Sequence, residues 1–166
     1  MLRRAARLTM ALLFVLGPLL TASAQEAPSP QEARRFIDFY YAGQGQGVVL
    51  AEARICTDVP REGAQAHQCL DEVAPDAVQV GRPYHLRMVF VVPQGVVGET
   101  ITVQYNHEGT PRKVDEVTVS GSIRFRTWTM FTLSEPGMWQ VQIAHATTGD
   151  LEELHTLDLR ARGSGE

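Results

Sequence analysis

The pattern of apolar and polar residues changes its period once along the chain, from 3.6 residues to 2 residues, near Gly47. Before that point, apolar residues recur at helical spacing, which predicts one amphipathic helix over residues 30–42. The members of this apolar stripe are Ala33, Phe36, Ile37, Tyr40 and Tyr41. Ser29 and Glu32 match the S-x-x-E capping box, and Pro30 suits the first helical position. We therefore expect the helix to begin at Pro30 and to end before the glycines of segment 43–47.

From residue 48 onward, short runs of β-branched and aromatic residues are separated by turn-forming Gly, Pro, Asn, Asp and Ser. These runs predict seven strands, over residues 49–56, 84–92, 100–105, 114–119, 123–132, 139–145 and 154–160. The second half of 84–92 is apolar at every position, which predicts a central strand covered on both faces. The whole pattern predicts an antiparallel sandwich or barrel over residues 48–161, with a flexible tail at 162–166.

The first 24 residues have the order of a secretory signal peptide. Arg3, Arg4 and Arg7 precede an apolar run of eleven residues at 10–20, and the small residues Ala22-Ser23-Ala24 follow. An apolar run of this length is too short to span a bilayer core of about 30 Å. We therefore predict cleavage between Ala24 and Gln25, a flexible lead at residues 25–29, no membrane span in the mature chain, and a periplasmic or secreted location.

Loss of the three leader arginines changes the net charge from -4 to -7, with 12 basic against 19 acidic residues in the mature chain. This balance argues against nucleic acid as a partner, because nucleic-acid binding needs a cationic surface. Cys56 and Cys69 both lie in the mature region, thirteen positions apart, and an exported chain meets oxidants that join thiols. A structural disulfide is the prediction. A metal pair or a redox pair is the alternative, although no C-x-x-C spacing is present and only His67 lies between the cysteines.

The residues show no recognisable catalytic set, so we predict that the protein is not an enzyme and needs no cofactor. The G-x-G-x-G run at 43–47 follows a helix and precedes a strand, which is the reverse of a phosphate-binding order. Imidazole and thioether ligands suit copper, but the histidines and methionines show no H-x-H or M-x-x-M cluster, so no metal site is predicted. The histidines are His67, His85, His107, His145 and His155.

Four basic residues lie on two strands that flank the short Ser120-Gly121-Ser122 turn. A turn of this kind predicts a hairpin, whose antiparallel pairing would gather Arg112, Lys113, Arg124 and Arg126 toward one edge. We therefore take these four residues as the candidate surface for an acidic partner or an anionic polysaccharide. The alternative is that the same charges only protect a sheet edge from self-pairing.

The stretch R-F-R-T-W at 124–128, followed by P-G-M-W-Q-V at 136–141, resembles the C-terminal signature of an uncharacterised family of secreted proteobacterial β-domains. The cysteine pair and the V-P-Q-G run at 92–95 are similar to myxobacterial-type members of that group. The resemblance covers roughly residues 40–160 and implies an immunoglobulin-like sandwich and export, but no reaction or ligand. On physical grounds, Trp128 and Trp139 at these positions are expected to be core or subsurface anchors.

These observations lead to one functional hypothesis, a non-enzymatic periplasmic or secreted interaction module in an envelope-associated assembly. Its protein partner would dock on a sheet edge, on the helix or on the basic hairpin. The first alternative is a periplasmic protein that binds a small ligand or copper. The second is a hydrolase that acts on an envelope polymer.

Overall fold

The computed structural model describes residues 27–41, 47–147 and 150–163, and the predicted signal peptide therefore lies outside the described residues. The described chain forms one helix, a 3-10 turn at Pro75–Ala77 and eight strands. The helix is α1 (Pro30–Tyr41), and the strands are β1 (Val49–Asp58), β2 (Leu70–Glu72), β3 (Pro83–Val92), β4 (Glu99–His107), β5 (Thr110–Val119), β6 (Ser122–Thr132), β7 (Gly137–Ala146) and β8 (Leu151–Ala161). The sequence pattern missed β2, because three residues are too few to show an alternation.

The strands form two antiparallel sheets of four. The first sheet has the order β2-β1-β3-β6, and the second has the order β5-β4-β7-β8. When β2 is set aside, the strands divide between the sheets as in immunoglobulin-like sandwiches. The strands β1, β3 and β6 correspond to A, B and E, and the strands β5, β4, β7 and β8 correspond to C′, C, F and G. The predicted fold class is therefore confirmed. No helix in the described ranges is long and apolar enough to cross a membrane.

The core lies between the two sheets and is filled from both inner faces. Leu86, Met88 and Phe90 of β3 are fully buried against residues of β4 and β7. The rings of Tyr105 and Phe131 lie 5.2 Å apart, and the Tyr105 hydroxyl shares a 2.8 Å hydrogen bond with Thr129 Oγ1. This bond satisfies a phenol that would otherwise be buried without a partner. β3 lies between β1 and β6, as its continuous apolar run predicted.

Helix α1 covers the outer face of the first sheet. The capping box forms as predicted, since the Glu32 amide donates to Ser29 Oγ at 3.1 Å. The apolar stripe was predicted incorrectly, because Ile37 is exposed while Phe39 is buried against Val89 and Val91. The helical face that packs against the sheet carries Glu32, Phe36 and Phe39. Glu32 is bound to Arg124 of the sheet through a buried ion pair. The side chains of Tyr40 and Tyr41 lie outside the described residues.

The hairpin predicted around Ser120-Gly121-Ser122 is wrong. β5 pairs with β4 and β6 pairs with β3, so this connection crosses from one sheet to the other. The crossing allows inner-face residues of both strands to enter the same core from opposite sides. Gly121 donates its amide to Val96 O at 2.8 Å, and a Cβ there would lie 3.0 Å from Pro93 O. The glycine therefore allows the close approach of the turn that precedes β4.

Candidate binding surface

The four predicted surface residues lie on one lateral side of the sandwich, although no hairpin joins them. β5 and β6 are edge strands of different sheets, and Lys113 Nζ of β5 donates to the Met130 carbonyl of β6 at 2.6 Å. Arg126 and Arg124 precede Met130 by four and six residues, which is roughly 13–20 Å along a strand. The residues therefore form two separate pairs along what we call the β5–β6 side.

Arg112 and Lys113 begin the β5–β6 side and lie beside two acidic residues. Arg112 Nη2 is 3.5 Å from Glu135 Oε1, and Lys113 Nζ is 2.7 Å from Asp115 Oδ2. Lys113 Nζ also lies 5.3 Å from the centre of the Tyr105 ring. Both cationic side chains are more than 40% exposed, at 46% and 42%. Ion pairs of this exposure are worth little, so water or another anion competes for the same donors.

An open cleft of about 270 Å³ lies next to these two cations, beside the end of β6 and the start of β5. Its floor is the edge of the core, and its rim carries cations and hydroxyl groups. The lining residues are Tyr105, Arg112, Lys113, Phe131, Thr132, Leu133, Ser134 and Trp139. Trp139 is 97% buried and donates its indole N–H to Glu135 O at 3.0 Å, as expected of an anchor. We call this space the Arg112–Lys113 cleft.

Arg124 has a structural role at the other end of the β5–β6 side. Its guanidinium donates to both carboxylate oxygens of Glu32, from Nε to Oε1 and from Nη2 to Oε2. The Glu32 side chain is 1% exposed and that of Arg124 is 14% exposed. Bidentate pairs of this kind are among the stronger charge-assisted hydrogen bonds. Arg124 therefore fastens the start of α1 to β6.

β6 is an eleven-residue edge strand. Because the Met130 carbonyl accepts from β5, it is directed away from β3, toward the open edge. Strand alternation turns the backbone groups of Trp128 to the same edge. The Arg124 amide, also directed there, donates to Ser122 Oγ at 3.1 Å. In the part of the chain that the structure describes, no strand pairs with β6 on this edge.

The edges of the second sheet carry features that discourage strand pairing. β5 contains Pro111 and four charged residues, and β8 contains three acidic residues and one arginine. Charges and proline on an edge strand are common protection against edge-to-edge association. From Thr127 to Thr132, β6 has neither. This stretch is the least protected long edge of the sandwich.

A buried network on the outer face of the first sheet holds the Trp128 side chain in place. Arg87 Nη1 donates to Glu52 Oε2 at 2.8 Å, and Arg87 Nε donates to the His67 carbonyl at 2.8 Å. The His67 ring in turn meets the Trp128 ring edge-on, with centroids 5.0 Å apart. A disulfide between Cys56 and Cys69 closes the loop that carries His67. Trp128 is therefore a subsurface anchor beneath the loop.

The pKa of Glu52 is held below its ordinary value of 4.5. Burial raises the pKa, but hydrogen bonds with Ser29, Arg54 and Arg87 and the charge of Arg54 outweigh it. The unfolded chain therefore takes up a proton at higher pH than the folded chain does. Stabilisation by this carboxylate is complete above about pH 4.5 and is lost as the pH falls through the lowered pKa of the folded protein.

We expect Glu52→Gln to remove this part of the pH dependence. From about pH 5 down to about pH 3, its free energy of unfolding should fall less steeply than that of the wild type, in urea titrations at each pH. Glu62→Gln, at an exposed loop position, is the matched control and should keep the wild-type slope. Equal slopes for wild type and Glu52→Gln would contradict the assignment.

The histidines do not converge on one site. His67 lies against Trp128, the His107 ring lies 4.7 Å from the Trp139 ring, and His145 Nε2 is 3.0 Å from Glu99 Oε2. Within the described ranges, no group of three His, Cys, Asp or Glu side chains is placed to hold a metal ion.

Sequence reasoning found the cations of the β5–β6 side but missed the cleft and the open edge. Both depend on which strands end each sheet, and no local pattern encodes that choice. The lack of charge and proline over 127–132 was the one signal available. It is informative only once β6 is known to be an edge strand.

No family model matches the chain, and no curated protein matches its sequence. Among solved structures, the chain is similar to the C-terminal domain of wzt, with 11% identity over 71% of this chain and 75% of that one and a TM-score of 0.49. It is also similar to a CARDB domain from Pyrococcus furiosus, with 18% identity over 69% of this chain and 95% of that one and a TM-score of 0.39. The strand order of the two sheets identifies the immunoglobulin-like fold.

Proposed function

We propose that the mature protein is a non-enzymatic, exported interaction domain that binds a protein partner of the cell envelope through the β5–β6 side. Export is supported by the signal-peptide pattern of residues 1–24 and by the disulfide between Cys56 and Cys69. The observation that carries the proposal is the edge of β6, where no described strand pairs and where the amides of Trp128 and Met130 face outward beside the Arg112–Lys113 cleft. The Met130 carbonyl on this edge already accepts from Lys113.

Strand addition is the mode of binding that this edge supports best. A partner strand gains main-chain hydrogen bonds from the edge, and side-chain contacts on either face give specificity. Trp128 is held by the His67 loop and the inner face of β6 is held by the core, so the edge is ordered before binding. A preformed edge lowers the entropy lost on association.

Met130→Pro tests this mode of binding. The substitution removes an amide that faces the open edge and leaves the ladder with β3 intact, which is the setting in which strands tolerate proline. The Met130 side chain is 60% exposed, so little packing is lost. We expect capture of partner proteins from envelope extracts to fall at least about ten-fold.

Met130→Thr, which keeps the amide, is the matched control and should capture the partner as the wild type does. Thermal unfolding of both variants shows whether the sandwich is retained. Unchanged capture by a folded Met130→Pro variant would sink the proposal. Arg124 is unsuitable for this test because its replacement would release Glu32, and with it the start of α1, from β6.

A further inference from the structure

We infer, on the basis of the proposed binding at the β6 edge, that the partner supplies an extended acidic segment and that one of its carboxylates enters the Arg112–Lys113 cleft. The cleft opens beside the end of β6, and its lining includes Phe131 and Thr132, the last two residues of the strand, and Leu133, which follows them. A segment added along the edge would reach the cleft without a change of direction. The edge and the cleft therefore form one continuous surface.

The groups around the cleft suit a carboxylate. The Arg112 guanidinium carries five N–H donors, and Thr132 and Ser134 add hydroxyl donors. The Lys113 ammonium carries three, of which one is donated to the Met130 carbonyl and another faces Asp115. The buried edge of the core limits water beneath them, since Tyr105 and Phe131 are 98% or more buried. Donors beside an apolar floor bind an anion more strongly than the same donors in open water.

Acidic residues of the protein itself occupy these donors only in part. The 3.5 Å separation between Arg112 and Glu135 exceeds the usual range of a direct hydrogen bond. The Glu135 side chain is 48% exposed, so it can return to water when a partner carboxylate arrives. Lys113 is closer to Asp115, at 2.7 Å, and this pair is also partly exposed. Glu135 is therefore a competitor of the bound carboxylate.

The charges at the cleft favour an acidic segment over a second copy of this chain. The charged residues that line the cleft, Arg112 and Lys113, are both cations, whereas Asp115 and Glu116 lie further along β5. A second copy paired through its own β6 would bring no carboxylate to these cations, because β6 contains no Asp or Glu. Complementary charge steers an acidic segment to the β5–β6 side instead.

Fluorescence anisotropy with the mature protein tests the inference. The probe is a labelled eight-residue peptide of alternating Val and Glu, with a Val and Lys peptide as the comparison. We expect the acidic peptide to bind in the micromolar to millimolar range, with an affinity that falls as salt is added. Arg112→Ala with Lys113→Ala should weaken binding at least about ten-fold. Glu135→Gln should strengthen it about two-fold or more, because the internal competitor loses its charge.

Arg160→Ala, at an exposed position on β8, is the matched control and should leave binding unchanged. Equal affinity for the acidic and basic peptides, no binding up to about 1 mM, or weaker binding by Glu135→Gln would each overturn the inference. Sedimentation of the protein as a dimer that Met130→Pro abolishes would also overturn the inference. If Met130→Pro loses the envelope partner while the Arg112 and Lys113 variant keeps it, only the cleft assignment fails. If Met130→Pro keeps the partner, the proposed function fails as well.

Discussion

Glu52→Ala is expected to lower the free energy of unfolding by about 3–5 kcal/mol. The side chains of Glu52 and Arg87 are only 6% and 1% exposed, and they meet at 2.8 Å. Removal of the carboxylate leaves the buried guanidinium without this counter-charge. The cost of that desolvated charge is much larger than the net value of the intact pair. Urea denaturation of the mature, oxidised protein measures the difference.

A double variant separates the cost of an unbalanced charge from the loss of packing. Glu52→Leu with Arg87→Met replaces both charges with apolar side chains of similar size, and we expect it to lie within about 2 kcal/mol of the wild type. Asp76→Ala is the control. Asp76 Oδ2 lies 3.8 Å from Arg162 Nη2 in an exposed ion pair, so its loss should change the free energy of unfolding by less than about 1 kcal/mol. A double variant less stable than Glu52→Ala would contradict this explanation.

Loss of the disulfide is expected to be the second large effect. Replacing Cys56 and Cys69 with alanine should lower the free energy of unfolding by about 3 kcal/mol, because a loop of this length loses its restraint in the unfolded chain. The folded state loses order as well. The same loop presents the His67 carbonyl to Arg87 and the His67 ring to Trp128.

Denaturation of the oxidised protein, the reduced protein and the double alanine variant provides the test. The last two should agree within about 1 kcal/mol, because both lack the same restraint. Cys56 is fully buried, so reduction of the native protein should be slow without denaturant. An alanine variant as stable as the oxidised wild type would show that the loop is held by other contacts.

The link between the loop and β6 also bears on the proposed function. Trp128 lies under the His67 loop and turns its backbone toward the open edge of β6. Loss of the disulfide therefore acts on the same strand that the partner is proposed to extend. Stability and binding should fall together in the cysteine variant, whereas Met130→Pro should affect binding with little change in stability.

Much of the secondary structure was predictable because its signals are local. The capping box of Ser29 and Glu32 placed the start of α1, and the alternation after residue 48 located seven of the eight strands. The apolar second half of 84–92 marked β3 as central, since only a strand covered on both faces has no polar side to expose. Each of these signals lies within a few residues of the element that it defines.

The errors arose where the outcome depends on distant residues. Ile37 and Phe39 are both apolar, but only Phe39 lies on the helical face that also carries Glu32, whose partner Arg124 is 92 positions away. No pattern within the helix shows that this face is the one against the sheet. The Ser120–Ser122 turn has a composition that suits a hairpin and a sheet crossing equally. The inner faces of β5 and β6 decided between them, because both must be buried in one core.

The sequence by itself determined the helix, most of the strands, the mainly β class and the cysteines that close the loop, since spacing and turn chemistry act over short distances. Only the tertiary structure decided that β6 ends its sheet, that a cleft opens beside Arg112 and Lys113, and that Arg124 fastens a helix. Edges and clefts result from the order in which the strands lie side by side within each sheet. That order follows from the total apolar surface buried between two sheets, which no single segment of the chain contains.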